Sequence, residues 1–361
     1  MVKTWDVIII GGGIIGLSLS ISLRKRGATV LIVERREPGQ EASYAAAGML
    51  ADFPLETPAI LQPLATASAR MYPEFVHELR DESSIDPDLR DQGTIFFPSL
   101  EHIRERPSLL ADHPLPASLL ELEPALATSL LDSKTPSIYL HERSVNPRTL
   151  TSAALKAARH RGVDISSGTT VTDVLLLEGR AIGVSTSKTH YHASAVVNCA
   201  GAWAGQFAPY LFPTRPVKGQ MLALAAQSRD LIRHVIRAPD VYLVPRSDGR
   251  ILVGATLEEA GYDKRIDADT IQHLRHAAVC LVPALSEART LETWAGLRPG
   301  SPDNLPILGE TKTPGYFVAT GHYRDGILLT PITAHLMAQV ITGEKPEYDL
   351  AAFSPDRFDE A

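Results

Sequence analysis

The sequence predicts an α/β protein, mixed α+β overall, in which a parallel-sheet domain is interrupted by a domain built on an antiparallel sheet. A strand, a glycine-rich turn, a helix and a second strand follow one another within the first 34 residues, the order of a right-handed parallel βαβ unit. Apolar and polar residues alternate across 170–197, and strand patterns dominate 217–257, which is typical of antiparallel strands. A strand at 316–320 and a helix at about 326–341 return the chain to the first pattern.

The first unit is defined by short, clear elements. Asp6 to Ile10 is predicted to be a buried strand, and Thr29 to Glu34 a second strand rich in β-branched residues. Between them, Gly13 to Arg26 has the composition of a helix whose basic last turn precedes Gly27.

The middle of the chain is more irregular, with scattered prolines over 98–124 that favour loops and short helices. Asn146 and Pro147 form an N-cap and first-turn pair that opens a helix running to about Arg161. The further predicted elements are strands at 137–142, 162–165 and 196–199, a helix at 267–281 and a proline-rich turn at 298–308.

These alternating patterns predict a discontinuous domain organisation. We expect the dinucleotide-binding domain to comprise residues 1–80, 145–210 and 295–361. The second domain, which would bind substrate, is expected at 81–144 and 211–294.

Composition narrows the class of protein. The net charge of −7 and pI of about 6.0 lack the basic footprint of a nucleic-acid-binding protein. The two cysteines, Cys199 and Cys280, have neither zinc-site nor disulfide-framework spacing, so a cytoplasmic location is expected. The apolar run 7–23 follows an acidic residue and is broken by three glycines, which argues against a targeting segment or stable membrane insertion.

The glycine turn Gly11-Gly12-Gly13-Ile14-Ile15-Gly16 fits the G-x-G-x-x-G pattern. Gly11 permits the tight turn, Gly13 lets the backbone approach a pyrophosphate, and Gly16 lets the helix pack closely on the strand. Glu34 ends the next strand about twenty residues on, where a carboxylate would accept hydrogen bonds from a ribose. The context therefore predicts a Rossmann-like dinucleotide site, without distinguishing NAD from FAD.

Later motifs favour FAD over NAD. The small-residue segment Glu41-Ala42-Ser43-Tyr44-Ala45-Ala46-Ala47-Gly48-Met49-Leu50 resembles the loop that passes the flavin in the superfamily of D-amino acid, sarcosine and glycine oxidases. The resemblance continues through 144–158, 198–203, 294–309 and 321–330. Within the superfamily the chain most resembles the glycine oxidases of thiamine biosynthesis, on AAAGML, PVKGQ, VYLVPR, WAGLRPG and GHYRDGILL.

The resemblance implies a non-covalent FAD. Sarcosine oxidases attach flavin through a cysteine at a position where this chain has Gly296. A helix N-terminus near Gly326 is expected to point at the flavin pyrimidine. The residues implied to bind the cofactor are Gly11, Gly13, Ile14, Ile15, Gly16, Glu34, Arg35, Ser43, Ala46, Ala47, Gly48, Met49, Val171, Ala200, Gly201, Trp203, Arg298, His322, Arg324, Asp325, Gly326, Ile327 and Leu328.

The same resemblance implies the catalytic residues. Arg298 matches an arginine that binds the substrate carboxylate, a role suited to its planar fork of donors. Tyr242 matches a tyrosine that assists there, and Arg324 an arginine of the flavin and substrate pocket. Leu257 and Met49 are expected to complete the substrate site.

The implied reaction oxidises the carbon–nitrogen bond of a small amino acid or amine, such as glycine, sarcosine or a small D-amino acid. The imine hydrolyses to a keto acid and ammonia, and molecular oxygen is reduced to hydrogen peroxide. A thiazole synthase is an implied partner, and the resemblance hints at a homo-oligomer.

Two departures from the glycine oxidase pattern concern the substrate pocket. Asp240 stands where histidine is common, and an inward carboxylate there would repel the substrate. Leu257 stands where methionine is common, an apolar residue of similar volume. His190 and His192 form an HxH pair with no further ligands nearby, so a solvated strand face is predicted rather than a metal site.

The sequence leaves alternatives open. A flavin-dependent D-amino acid dehydrogenase would pass electrons to a membrane quinone instead of oxygen. An NAD-dependent oxidoreductase or a non-catalytic flavin-binding module would share the glycine turn, although the retained Arg298 and Tyr242 argue against the latter.

Overall fold

The computed structural model describes residues 3–55, 57–131 and 135–358. Its α-helices are α1 (Ile14–Lys25), α2 (Ala42–Ala45), α3 (Gln62–Ser83), α4 (Leu100–Glu105), α5 (Leu109–Asp112), α6 (Leu119–Leu122), α7 (Pro147–His160), α8 (Ala268–Leu281) and α9 (Thr330–Ile341). Its strands are β1 (Thr4–Ile10), β2 (Val30–Val33), β3 (Met49–Leu50), β4 (Thr94–Phe96), β5 (Ile138–Leu140), β6 (Arg143–Ser144), β7 (Asp164–Ser166), β8 (Val171–Leu177), β9 (Arg180–Thr186), β10 (His190–Asn198), β11 (Arg215–Ala225), β12 (Val235–Arg237), β13 (Tyr242–Pro245), β14 (Arg250–Gly254), β15 (Arg289–Gly300), β16 (Ile307–Glu310) and β17 (Tyr316–Thr320).

The first sheet is built on a parallel core, with the order β16-β17-β10-β1-β2-β7. The pairs from β17 to β7 are parallel, while β16 and the β8–β9 hairpin join antiparallel. Side chains of a strand alternate between the two faces of its sheet. Val7 and Ile9 therefore enter the core beneath α1, α3, α7 and α9, while Ile8 and Ile10 enter the core beneath the β8–β9 hairpin.

The second sheet has the order β15-β11-β14-β13-β12-β4-β5, and only β12 and β4 pair in parallel among its described strands. It buries an apolar face against α8 and the short helices near Leu119 and Leu285. The mixed architecture predicted from the sequence is confirmed. The predicted domain division stays a prediction; its boundary between residues 294 and 295 falls inside strand β15.

Two elements differ from the sequence-based expectation. Helix α3 was not predicted, although it runs for 22 residues; Pro73 and a mixed polar composition hide its helical pattern. The last helix begins at Thr330 and not at Gly326, because residues 326–329 form turns and Pro331 lies in the first helical turn, where proline is tolerated.

The turn after β10 is held by one buried amide. Asn198 is fully buried; its Nδ2 donates to the Ala204 carbonyl at 2.9 Å and to the Tyr316 hydroxyl at 3.0 Å. Its Oδ1 accepts from the Ala200 amide at 3.1 Å. The side chain therefore ties the turn at 199–204 to the neighbouring strand β17.

We predict that Asn198→Ala lowers the free energy of unfolding by about 2–4 kcal/mol, because it leaves buried donors and acceptors without partners. Urea unfolding followed by circular dichroism would measure it. Gln272→Ala, at an exposed position of α8, is the control and should change stability by less than about 0.5 kcal/mol. Equal stability of the Asn198→Ala and control variants would show that the Asn198 hydrogen bonds do not stabilise the turn.

Candidate functional site

A cavity of about 510 Å³ lies where the carboxyl ends of the parallel strands meet the second sheet. It brings together most of the residues predicted from the sequence. The predicted residues in its lining are Gly11, Gly13, Ile14, Ile15, Glu34, Arg35, Ser43, Ala46, Ala47, Gly48, Met49, Val171, Ala200, Gly201, Trp203, Tyr242, Arg298, His322, Arg324, Gly326 and Ile327. Their roles in binding and catalysis stay predictions, since the lining gives position alone.

Four predicted residues lie outside the lining. Gly16 packs under the turn, where an added Cβ would stand 2.2 Å from the Gly11 carbonyl oxygen. Leu328 is buried in the core, and Asp325 lies half-buried beside the cavity. Leu257 is 59% exposed, so its position does not support the predicted role in the substrate pocket. The other departure, Asp240, is exposed and outside the lining, so its carboxylate does not face the cavity.

The glycine turn has the geometry that a phosphate group requires. Gly11 has a φ of +105°, and a Cβ there would lie 2.5 Å from the Cys199 carbonyl oxygen. Gly13 caps α1 with extended backbone, and its nearest neighbour to an added Cβ is the Ser43 hydroxyl at 3.5 Å. The positive end of α1 thus opens onto the cavity, where the Ser43 hydroxyl accepts from the Ile14 amide at 3.0 Å.

Glu34 stands at the end of β2, as predicted for a ribose-binding carboxylate. Its Oε2 accepts from the Gly12 amide at 2.8 Å and its Oε1 from the Arg36 amide at 3.0 Å. These bonds fix the carboxylate at the cavity wall, and each oxygen keeps a further lone pair for a ligand hydroxyl. Beside it, the guanidinium of Arg35 stacks 3.7 Å from the centre of the Trp203 ring.

The small-residue loop Ala45–Gly48 is held by its carbonyl groups. Trp294 Nε1 donates to the Ala45 carbonyl at 3.1 Å, and the Val145 amide donates to the Gly48 carbonyl at 2.8 Å. A Cβ at Gly296 would lie 2.2 Å from the Ala45 Cβ. Glycine at 296, the position where the resemblance places a flavin-linking cysteine in other proteins, therefore lets strand β15 approach the loop.

A cationic group lines the cavity on the side of the second sheet. Arg298 lies on β15, and its Nη1 donates to the carbonyls of Thr256 at 3.1 Å and Lys218 at 3.3 Å. A Cβ at Gly219 would lie 2.4 Å from that Nη1, so only glycine leaves the guanidinium in place. None of the described carboxylates pairs with Arg298, which leaves its charge available for an anionic ligand.

Tyr242 and Arg324 complete this end of the cavity. Burial raises the pKa of Tyr242, while the charges of Arg298 and Arg324 oppose the shift. The phenol therefore stays protonated at neutral pH and its hydroxyl can donate. Burial also raises the pKa of Asp325 to about 6, against the charge of the neighbouring Arg324.

His322 is buried, and its Nε2 lies 3.1 Å from the Thr333 hydroxyl. Burial lowers the pKa of His322 to about 4, so the imidazole is neutral at physiological pH. Its place in the cavity wall, in contact with α9, fits packing and hydrogen bonding better than proton transfer. No group of described histidines, cysteines and carboxylates is arranged to hold a metal ion.

Sequence reasoning missed several lining residues. Thr169, Thr170 and Thr172 flank the predicted Val171, and their composition resembles that of any exposed strand end. Gly219 and Met221 come from strand β11, where the pattern showed only alternation. The glycine in PVKGQ was the available signal, because glycine within a strand marks a close approach.

The fold and this cavity define an oxidoreductase that binds a dinucleotide at the carboxyl ends of a parallel sheet. The chain belongs to the DAO family of FAD dependent oxidoreductases, whose model matches residues 6–340. The residues present fit that cofactor, because the open N-terminus of α1, the fixed Glu34 carboxylate and the alanine-lined wall form one continuous cavity.

Relatives agree with this assignment. The chain is 32% identical over 360 residues to a glycine oxidase of Pseudomonas aeruginosa, covering 97% of this chain and 98% of that one. It is 35% identical over 366 residues to the bifunctional protein ThiO/ThiG of Synechocystis sp., covering 99% of this chain and 55% of the relative. The crystal structure of glycine oxidase from Geobacillus kaustophilus superposes with a TM-score of 0.90 at 33% identity, covering 98% and 99% of the two chains.

These findings confirm the predicted cofactor, FAD, and the predicted class of enzyme, an FAD-dependent amino acid or amine oxidase. None of the described helices is long and apolar enough to cross a membrane. When bound, FAD supplies the two-electron acceptor that the amino acid side chains of the cavity lack.

Gly13 offers a test of the phosphate-binding turn. A methyl group at this position meets only an ordinary contact, so Gly13→Ala should fold normally but weaken FAD binding at least tenfold by obstructing the phosphate. FAD titration of the apoprotein, with thermal melting of the same sample, would measure both effects. Gly16→Ala is the contrast, because its Cβ meets backbone at 2.2 Å and should destabilise the fold itself. Unchanged FAD affinity in Gly13→Ala would place the phosphates elsewhere.

Proposed function

We propose that this enzyme oxidises the carbon–nitrogen bond of a small amino acid or amine, with glycine, sarcosine and small D-amino acids as the substrate class. The observation that carries the proposal is the Arg298 guanidinium, which lines the flavin cavity, donates to two backbone carbonyls and forms no ion pair with a described carboxylate. A planar fork of donors is suited to a carboxylate, which it can bind through two parallel hydrogen bonds.

Tyr242 adds a second donor at the same place. Because the pKa of its phenol is raised by burial, the hydroxyl is protonated and can donate to the substrate carboxylate beside Arg298. Two fixed donors orient the carboxylate and thereby set the direction of the adjacent carbon–hydrogen bond. Orientation of this kind supplies a large part of the rate in reactions that need no general base.

The proposal also covers the products, the electron acceptor and the partner of the enzyme. Loss of a hydride from the carbon to FAD and of a proton from the nitrogen would give an imine, which water converts to a keto acid and ammonia; glycine would give glyoxylate. Molecular oxygen is the proposed final acceptor and hydrogen peroxide the product. A role in thiamine biosynthesis with a thiazole synthase is supported by the match to a protein named bifunctional ThiO/ThiG. A homo-oligomer in the cytoplasm remains the proposed assembly and location.

The direct test is oxygen uptake by the purified, FAD-loaded enzyme with glycine, sarcosine and D-alanine. We expect substrate-dependent uptake with hydrogen peroxide release, because Arg298 and Tyr242 would fix each carboxylate in the same way. No uptake, with the flavin nevertheless bleached by substrate under argon, would replace oxidase by a dehydrogenase that uses another acceptor, such as a quinone. If none of the three substrates bleaches the flavin, the substrate class is wrong.

Gly219 tests the position of the anchor. We predict that Gly219→Ala raises KM for glycine at least tenfold, because its Cβ would displace the Arg298 guanidinium, while flavin content stays unchanged. Steady-state kinetics and the absorbance of bound FAD measure the two quantities. Thr293→Ala, an exposed position on the adjoining strand β15, is the control. A wild-type KM in Gly219→Ala would remove Arg298 from carboxylate binding.

A further inference from the structure

The side chain of Arg246 is buried, which is unexpected for an arginine in a turn. It follows strand β13 in a tight turn, with its amide donating to the Arg250 carbonyl at 2.9 Å and its carbonyl accepting from the Gly249 amide at 3.0 Å. Arginines in such turns commonly extend into water. Here the side chain is only 1% exposed and is among the largest fully buried side chains of the described residues.

The guanidinium reaches from the second sheet to the small-residue loop beside the flavin cavity. Its Nη2 donates to the carbonyl of Ala47, and Ala47 lines the cavity whereas Arg246 does not. Its Nη1 is buried without a hydrogen-bond partner in the described part of the chain. Arg246 is therefore separated from the cavity by the Ala47–Gly48 peptide.

This contact fixes the direction of a peptide group. The bond between Ala47 and Gly48 is trans, so its carbonyl and its N–H point in opposite directions. With the carbonyl of Ala47 drawn toward Arg246, the Gly48 N–H points away from Arg246, toward the cavity that Gly48 lines. No described residue accepts a hydrogen bond from this N–H. It is thus a donor presented to a ligand.

The charge of Arg246 has no close counter-charge. None of the described carboxylates lies within ion-pair distance, and Asp88 and Asp248 act on it only from farther away. Burial lowers its pKa to about 10, so the guanidinium remains cationic at neutral pH. A buried, unpaired charge is unfavourable unless another negative or electron-rich group lies nearby. A flavin gains negative charge when it is reduced. Only the Ala47–Gly48 peptide separates Arg246 from the cavity in which the flavin would bind.

We propose that Arg246 is a positioning residue for the FAD: it holds the Ala47–Gly48 peptide so that the Gly48 N–H donates to the bound flavin, and its buried charge stabilises the flavin's negative charge on reduction. The inference rests on the family's cofactor occupying this cavity and is independent of which amine is the substrate. It assigns a role to a residue outside the cavity lining.

The test compares the Arg246→Met and Arg246→Lys variants with the wild-type enzyme, each loaded with FAD. The quantities measured are FAD affinity, sulfite affinity and the midpoint potential of the bound flavin. Sulfite adds to the oxidised flavin and leaves a negative charge on it, so its affinity reports the local electrostatic field without any amine substrate. We expect Arg246→Met to bind FAD and sulfite at least tenfold more weakly. Its two-electron potential should fall by about 30 mV for each tenfold loss in affinity for the reduced flavin relative to the oxidised flavin. Arg246→Lys, which keeps the charge but not the fork, should lose FAD affinity with less than a threefold change in sulfite affinity.

Arg250→Met is the matched control, because it removes an arginine of the same turn that is paired with Asp248 at 2.7 Å near the surface. It should leave all three quantities unchanged. Wild-type sulfite affinity and potential in Arg246→Met would overturn the electrostatic role, and wild-type FAD affinity in both Arg246 variants would overturn the positioning role. If Arg246→Met does not fold, Arg246→Lys decides the positioning role through FAD affinity. Arg246→Gln, which is neutral but can still donate, then decides the electrostatic role, with at least tenfold weaker sulfite binding expected and wild-type sulfite affinity overturning it.

Discussion

The structure depends on the close approach of backbone to backbone at the carboxyl ends of β1 and β10. Gly11 leaves β1 with a φ of +105° and lies so near the Cys199 carbonyl that no Cβ could be accommodated. Gly16 then allows α1 to lie directly on that turn. These contacts between main chains bring the N-terminus of a helix, the end of β2 and the turn after β10 to one place, and the cavity is formed there.

A wall made of alanine and glycine cannot hold itself by side-chain packing. The loop Ala45–Gly48 is instead fixed through its carbonyl groups, by Trp294 and Arg246 from the side of the second sheet and by the Val145 amide. The second sheet thus shapes the small-residue wall of the cofactor cavity as well as supplying Arg298 and Tyr242 to its lining. A change in that sheet should therefore alter cofactor binding through the loop carbonyls, even where the changed residue does not line the cavity.

Local signals made much of this site predictable. The turn, α1 and Glu34 are contiguous in sequence, and their spacing is imposed by the βαβ geometry. Leu257 and α3 show where such reasoning ends. The exposure of Leu257 is decided by how the segment after β14 leaves the sheet, and the long helix α3 owes its stability to packing on α7 and α9, not to a clear local pattern. Arg246 is a third case, because a turn arginine carries no sequence signal of burial.

The distribution of charge along the cavity gives its two ends different tasks. Glu34 lines the cavity at the end of β2, where the neighbouring Arg35 pairs with Glu41 at 2.8 Å, and Arg298 lines the cavity beside the second sheet. The Glu34 carboxylate favours a ligand with hydroxyl donors and would repel a ligand carboxylate, which the Arg298 guanidinium would attract. Because the loop between them is uncharged and small, the cavity can take a flat, largely apolar ring there. The two groups that distinguish the ends of the cavity therefore come from different sheets, Glu34 from the end of β2 and Arg298 from β15.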